Sequence, residues 1–361
     1  MNHHLPDALA ETLSLHLDLG KSRLETLAWL IIGVLVARTV NLSHLASQCD
    51  SAAQVDSSYR RLQRFFQFVT LEGDWLALAV VKLLKLKGPW VLCLDRTNWK
   101  IGRRDVNILM LAIATRRFRI PLMWQILEKG GSSNQRERIG LMERYVALFG
   151  AGSVTWLLAD REFIGGRWLK FLMKNKIFFA VRVKENSLVQ FQNGRCHQLK
   201  SLLRRPFGFR LLHSQPARFQ AMDSGSGFPF GGGELLIVVS NGNGKRALKA
   251  YRRRWQIECL FGDSKTRGLN MEDTRLTQPR KLDTLLVIIT LAMAWAYACA
   301  TAVKGTTTIK LRGHGYRAKS WFRLGFDQLR RWILNQPQRA AEVWKRIWPR
   351  RKSTLNFSRV V

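Results

Sequence analysis

A chain of 361 residues, 47% of them apolar, is long enough to bury a sizeable core, and this excludes wholesale disorder. Against 25 acidic side chains stand 59 lysines and arginines, a formal charge of +34, so the surface fits a polyanion and nucleic acid is the first partner to consider. Five cysteines, widely spaced and never in a CxxC pair, argue against a disulfide framework and a zinc site, and fit a reducing cytoplasm.

Residues 1–88 carry 9 basic and 8 acidic groups and are close to neutral. No charged-then-apolar export pattern opens them. Residues 5–37 show helical periodicity through Leu24, Leu27, Leu30, Ile31 and Leu35. Leu42–Gln48 and Ser57–Phe68 follow as two short helical stretches around a polar turn. They read either as a helix-turn-helix with Tyr59, Arg60, Arg61 and Arg64 on its second element, or as two helices of a small bundle. The segment as a whole is expected to be a helical N-terminal domain.

From residue 89 the pattern changes to strands. Trp90–Leu94 is an apolar run ending in Asp95; Asn107–Ala114 and Leu122–Leu127 follow. Gln135–Phe149 reads as a helix, Val154–Ala159 as a strand ending in Asp160, Trp168–Met173 as a helix and Phe178–Val183 as a fifth strand. Three strands, then helix, strand, helix, strand is the order of an α/β fold of the RNase H-like kind. Residues 184–246, with a glycine-rich stretch from Gly225 to Gly233, read as a β-rich insertion whose last strand is Leu235–Val239. A long helix is expected from Ala247 to Arg267. Leu285 to Val303 is 19 residues without a charge, long enough to cross a bilayer, but its Ala and Thr content and basic flanks favour a buried core helix. The catalytic core is thus expected over 89–183 and 247–303. Residues 304–361 carry 15 basic and 2 acidic groups with four tryptophans and read as a basic helical C-terminal region for DNA contact or dimerisation.

A carboxylate at the C-terminal end of a sheet strand lies where α/β proteins place their sites. Asp95 and Asp160 each meet that description, although each is followed by an arginine, and two loop acids neutralised by neighbours would look the same. The helix supplies a third acid. At 100° per residue, Arg254, Glu258 and Lys265 fall within about 60° of Tyr251 on one stripe, while Ile257, Leu260 and Phe261 face elsewhere. A solvated face with an Arg254–Glu258 pair is the plain alternative. Asp263 falls off the stripe, and Asp105 sits in the first hairpin's turn. Three carboxylates from two strands and a helix would form an oxygen-rich site for Mg²⁺, or Mn²⁺ as a substitute, and two such ions activate a hydroxyl and stabilise the leaving oxygen of a phosphodiester.

The spacing Tyr251-x2-Arg254-x3-Glu258-x6-Lys265 resembles the YREK signature of IS4-type bacterial insertion-sequence transposases of the DDE class. Leu94-Asp95-Arg96-Thr97-Asn98-Trp99 and Leu158-Ala159-Asp160-Arg161-Glu162-Phe163 resemble the surroundings of that family's first and second catalytic Asp, and a β-rich insertion also stands between its second Asp and its Glu. The resemblance covers about residues 90–300. It implies that Asp95, Asp160 and Glu258 are catalytic metal ligands and that Tyr251, Arg254 and Lys265 contact phosphates. It implies cut-and-paste transposition: cutting at the element's tips, often through a hairpin, and joining of the 3′-OH to target DNA by a homodimer in a paired-end complex. The N-terminal domain is the family's usual place for end recognition. Glu162 departs from the family's small residue there and reads as an aid to Asp160 or a partner of Arg161. Two further DNA contacts are expected. Asn134, in the polar turn from Lys129, meets phosphate unless that turn is an ordinary loop. Trp99 stacks on a flipped base unless it is a core or hairpin tryptophan. A catalytically silent repressor and a host nuclease of the same fold are the alternative readings.

Overall fold

The computed structural model describes residues 4–48, 54–71, 73–190, 195–199, 201, 210–214, 217–222, 236–305, 307–313, 315 and 317–348. The centre of the molecule is a mixed sheet. Its first strands are Trp90–Ile101 (β1), Arg104–Ala114 (β2) and Arg119–Leu127 (β3), joined as antiparallel hairpins. Gly102, at φ +59°, supplies the left-handed position that the β1–β2 turn requires. Val154–Ala159 (β4) then adds in parallel beside β1, and Phe179–Val183 (β5) in parallel beside β4. Gln135–Phe149 (α6) precedes β4 and Gly166–Lys174 (α7) precedes β5, as parallel pairing demands. The near-continuous burial of β2 marks a strand covered on both faces.

Leu236–Ser240 (β10) pairs antiparallel with β5, so six strands in the order β3-β2-β1-β4-β5-β10 form the body of the sheet. Ala217–Met222 (β9) and Arg210–Ser214 (β8) continue it beyond β10, giving eight strands. The insertion's strands therefore extend the main sheet. Only Leu188–Gln190 (β6) and Cys196–Gln198 (β7) form a separate two-stranded ribbon among the described residues. The expected glycine-rich stretch from Gly225 to Gly233 lies outside the described residues.

Two expected elements are corrected. The first strand does not end at Asp95. It runs six residues further, because β2 continues to offer it a ladder from Asp95↔Met110 to Ile101↔Arg104 after β4 has ended. The helix expected over 247–267 is three pieces: Gly244–Tyr251 (α8), a 3₁₀ turn at Arg252–Arg254 and Trp255–Ser264 (α9). The tighter turn accompanies the burial of Arg254 between two exposed neighbours on one side and exposed Trp255 on the other. Beyond α9 the chain folds back so closely that a Cβ at Gly268 would collide with the Asp263 carbonyl oxygen, and Lys265 is left just past the helix end.

Around the sheet lies a helical body. His4–Ser14 (α1), Lys21–Ala37 (α2), Leu42–Ser47 (α3), Val55–Phe68 (α4) and Gly73–Leu83 (α5) come from the N-terminal part. Pro279–Lys304 (α10), Trp321–Asn335 (α11) and Pro337–Ile347 (α12) close the chain. By length and composition α10 is apolar enough to cross a membrane, yet 83% of its most apolar window is buried inside the protein. It is the hub on which α2, α5, α11 and α12 pack. At Gly325 the backbone of α11 comes so near α10 that a Cβ would collide with the Ala296 carbonyl oxygen. The tail's tryptophans belong to this core: Trp321, Trp344 and Trp348 are buried, Trp344 against Trp295, and Trp348 stacks on His16. The N- and C-terminal parts thus share one apolar interior. The turn expected between α3 and α4 includes residues 49–53, which lie outside the described set. Of the arginines on α4, Arg61 folds back onto α2, bonding Thr26 at 2.8 Å and pairing with Glu25 at 3.3 Å, while Arg60 and Arg64 are exposed.

Candidate active site

The sheet register places the first two acids. Leu94 and Ala159 are the last paired residues of the parallel β1–β4 ladder, so Asp95 and Asp160 are the next residue on each of two neighbouring strands. β4 then ends and the chain turns through a 3₁₀ turn at Arg161–Phe163, with Asp160 at its start. The Arg96 backbone N–H donates to Asp95 Oδ1 at 2.8 Å, and Arg254 Nη1 stands 3.5 Å from Asp95 Oδ2. Burial pushes the Asp95 carboxyl up to about 7; Asp160 and Glu162 add to this, while the Arg96 N–H and Arg254 oppose it. Asp160 Oδ1 is buried with no hydrogen-bond partner.

Arg254, only 5% exposed, binds two of the three acids. Its second terminal nitrogen bonds Glu258 Oε1, one helical turn on. Its guanidinium lies 5.9 Å from the centre of the Tyr251 ring. Burial works against its charge, yet Tyr251, Asp160, Glu258 and Asp95 together hold its pKa above the ordinary arginine value. The Tyr251 hydroxyl is buried without a hydrogen-bond partner, and burial raises its pKa, with Asp160 and Asp95 adding to the rise. Tyr251, Arg254, Glu258, Asp95 and Asp160 therefore meet at one place.

Lys265 and Trp99 form a second cluster. Lys265 Nζ lies 5.7 Å from the Trp99 ring centre and 2.7 Å from Glu272 Oε1. Trp99 is half-buried against the core on β1, opposite Val106. Asn134 is the N-cap of α6. Its side-chain oxygen accepts from the Glu137 N–H at 2.9 Å, and Glu137 returns a bond to the Asn134 N–H at 2.7 Å, a complete capping box. The turn that carries it is thereby a helix start. Asp263, which lies off the helix stripe, pairs with Arg119 at 2.8 Å.

Sequence reasoning does not find the polar frame behind the acids. Arg96 grips Glu162 with two nitrogens, at 3.3 and 3.2 Å, so Glu162 partners Arg96 rather than Arg161. Arg96 also donates to Asn107 Oδ1 at 3.0 Å, and Asn107 Nδ2 bonds the carbonyls of Lys129 and Gly131 at 2.8 and 2.9 Å. Buried Arg138 bonds Ser133 and the Ile164 carbonyl, tying α6 to the loop after Asp160. The one signal in the sequence is position, since Arg96 and Glu162 each lie within two residues of a candidate acid.

A divalent cation suits the donor set. The donors are carboxylate oxygens, as hard cations prefer, and Asp160 Oδ1 is a buried acceptor awaiting a partner. Among the described residues, however, no three His, Cys, Asp or Glu side chains stand together as a ligand set. Arg254 lies between Asp95 and Glu258 instead.

A parallel ladder thus carries adjacent carboxylates one residue past its last pair, within reach of an arginine that also binds a third on the facing helix. The family model "Transposase DDE domain" matches residues 86–295, well over half of the chain. The chain belongs to the DDE transposase family, which implies an RNase H-like core and a DNA substrate. A comparison with curated proteins gave no match.

Proposed function

We propose that this protein is the transposase of an IS4-type insertion sequence, cutting the element's own ends and joining their 3′-OH groups to target DNA. The observation that carries this reading is the pair Asp95 and Asp160, one residue past the last β1–β4 pair, with an unpartnered buried oxygen on Asp160. In the reading, Asp95, Asp160 and Glu258 hold Mg²⁺, and bound divalent ions supply activation of the attacking hydroxyl and charge stabilisation at the leaving oxygen. Tyr251, Arg254 and Lys265 orient the phosphates beside the scissile bond, where fixed cations and a phenol hold the strand in line. Trp99, beneath Lys265, offers an aromatic face to a base next to that phosphate. Hairpin formation on the element end, and a homodimer that pairs two ends, belong to the same proposal. Asn134 acts in it through the helix it caps.

The test is cleavage of DNA carrying the two ends that flank the reading frame, with Mg²⁺ and with Glu258→Gln alongside. Cutting at the outermost nucleotide, lost in Glu258→Gln while binding remains, is the expected result. Binding without cutting by the unaltered protein would favour a silent repressor. Cutting that ignores the ends would favour a host nuclease. Linear, unhairpinned excised ends would remove the hairpin step alone.

A further inference from the structure

Three features of the site sit together awkwardly for a simple metal cage. Arg254 contacts Asp95 Oδ2 and Glu258 Oε1 with different nitrogens and is almost wholly buried while doing so. Among the described residues no three acidic, His or Cys side chains converge. Asp160, on the neighbouring strand, keeps an oxygen without any hydrogen-bond partner. Two carboxylates of the triad thus share the single positive charge of Arg254, whose field Asp160 also feels without a hydrogen bond to its Oδ1.

A guanidinium and a divalent ion carry the same sign of charge. Both cannot sit between the same two carboxylates at low dielectric without strong repulsion. Arg254 can bridge the pair because its planar fork presents separate nitrogens to separate oxygens, which an ammonium does not do. Once displaced, a buried guanidinium needs another anion, and the phosphodiester backbone is the anion available to a protein of this charge.

We propose, resting on the transposase reading above, that Arg254 and the divalent cation are alternative occupants of the Asp95–Glu258 pair. Cation entry, seeded at Asp160, releases Arg254 to a DNA phosphate. Arg254 is then the residue that couples metal binding to DNA engagement, and by linkage each ligand tightens the other. Before DNA and metal arrive, the same contact holds the guanidinium between the two carboxylates and keeps the site closed to chemistry.

The experiment measures free Mn²⁺ by its electron paramagnetic resonance signal, titrating Mn²⁺ alone into the full chain. In Arg254→Gln, Mn²⁺ binding should be about tenfold tighter than in the unaltered protein, a coupling of ordinary allosteric size. Arg253→Gln, which removes an exposed charge from the same turn, should change it far less and controls for general electrostatics. A second measurement starts from the unaltered protein: adding a 30-base-pair duplex should tighten its Mn²⁺ binding, and the gain should be absent in Arg254→Gln. Thermal unfolding of each variant shows that it is folded. Equal or weaker Mn²⁺ binding in folded Arg254→Gln, or no effect of duplex on the unaltered protein, would overturn the exchange and make Arg254 a residue that merely positions the acids. Asp160→Asn separates this from failure of the wider reading. If it leaves Mn²⁺ binding untouched, the site is not a metal site and both proposals fall. If it weakens binding while Arg254→Gln does not strengthen it, only the exchange falls.

Discussion

Without metal, Asp95→Asn should gain stability relative to the unaltered protein as pH rises above mildly acidic values. The Asp95 carboxyl titrates near 7 in the folded protein against an ordinary value of 3.8. Between about pH 4 and pH 7 the unfolded chain has lost a proton that the native state keeps, so stability falls as pH rises through that window. A shift of about three units corresponds to at most about 4 kcal/mol in full, at 1.36 kcal/mol per unit. Only the part above pH 5 enters a comparison of pH 5 with pH 8, leaving about 2–3 kcal/mol. The Asp95 side chain is 17% exposed, so solvent screening trims this little. Asn cannot ionise and escapes the loss, although Arg254 surrenders one of its two partners at both pH values. The assay is urea unfolding with a chelator present at pH 5 and pH 8, for both proteins. The stability of Asp95→Asn relative to the unaltered protein should rise by about 2 kcal/mol between those pH values, the lower part of the range that linkage allows. A difference that stays constant with pH, or an unaltered protein that gains stability toward pH 8 more than the variant does, would refute the reasoning.

Arg96→Ala should cost about 3 kcal/mol in unfolding free energy, since it strands Glu162 and half-empties the Asn107 network; Arg96→Lys should recover less than half, because an ammonium cannot reproduce the two-nitrogen grip. Asp263→Asn should lower stability by a similar amount, about 3 kcal/mol, by breaking the partly buried Arg119 pair, yet leave Mn²⁺ affinity unchanged; Glu258→Gln should do the reverse, and paired thermal and Mn²⁺ titrations decide. Glu272→Gln should free Lys265 and tighten binding of a short duplex several-fold at low salt, with the gain fading as salt rises. The same gain in a protein that also lacks the Lys265 charge would show that Lys265 is not the group released.

Much of this architecture is readable from local pattern. The strand–helix order from Trp90 to Val183 shows in runs of apolar residues, and the burial of Leu285–Ala300 shows in a composition poorer in large aliphatics than a lipid-facing span. What local pattern misses is set by partners far along the chain. β1 extends beyond Asp95 because β2 pairs with residues 96–101, where Thr97, Trp99 and Ile101 alternate with Arg96, Asn98 and Lys100 in a strand pattern that the apolar run ending at Leu94 overshadows. The 3₁₀ turn at 252–254 depends on Arg254 being drawn inward to Asp95, a contact across 159 positions that a helical wheel places on a uniform stripe. Arg96 and Glu162 are 66 residues apart, and in the sequence each reads as a partner for its own neighbour. The sequence shows four tryptophans in the basic tail but not where they go: α11 and α12 turn Trp321, Trp344 and Trp348 into the core that α1, α2 and α10 share.

The charge balance gives the site its meaning. With 34 cations in excess, basic partners are in ample supply for every carboxylate. Asp74 has Arg144, Glu162 has Arg96, Asp263 has Arg119, Glu272 has Lys265, and Asp95 and Glu258 share Arg254. A buried carboxylate oxygen left alone costs stability, and one more lysine or arginine nearby would relieve it. That Asp160 Oδ1 stays unpartnered amid such a surplus is therefore not a failure of supply. In the reading proposed above it is where a divalent ion would enter, beside a guanidinium that Asp95 and Glu258 share.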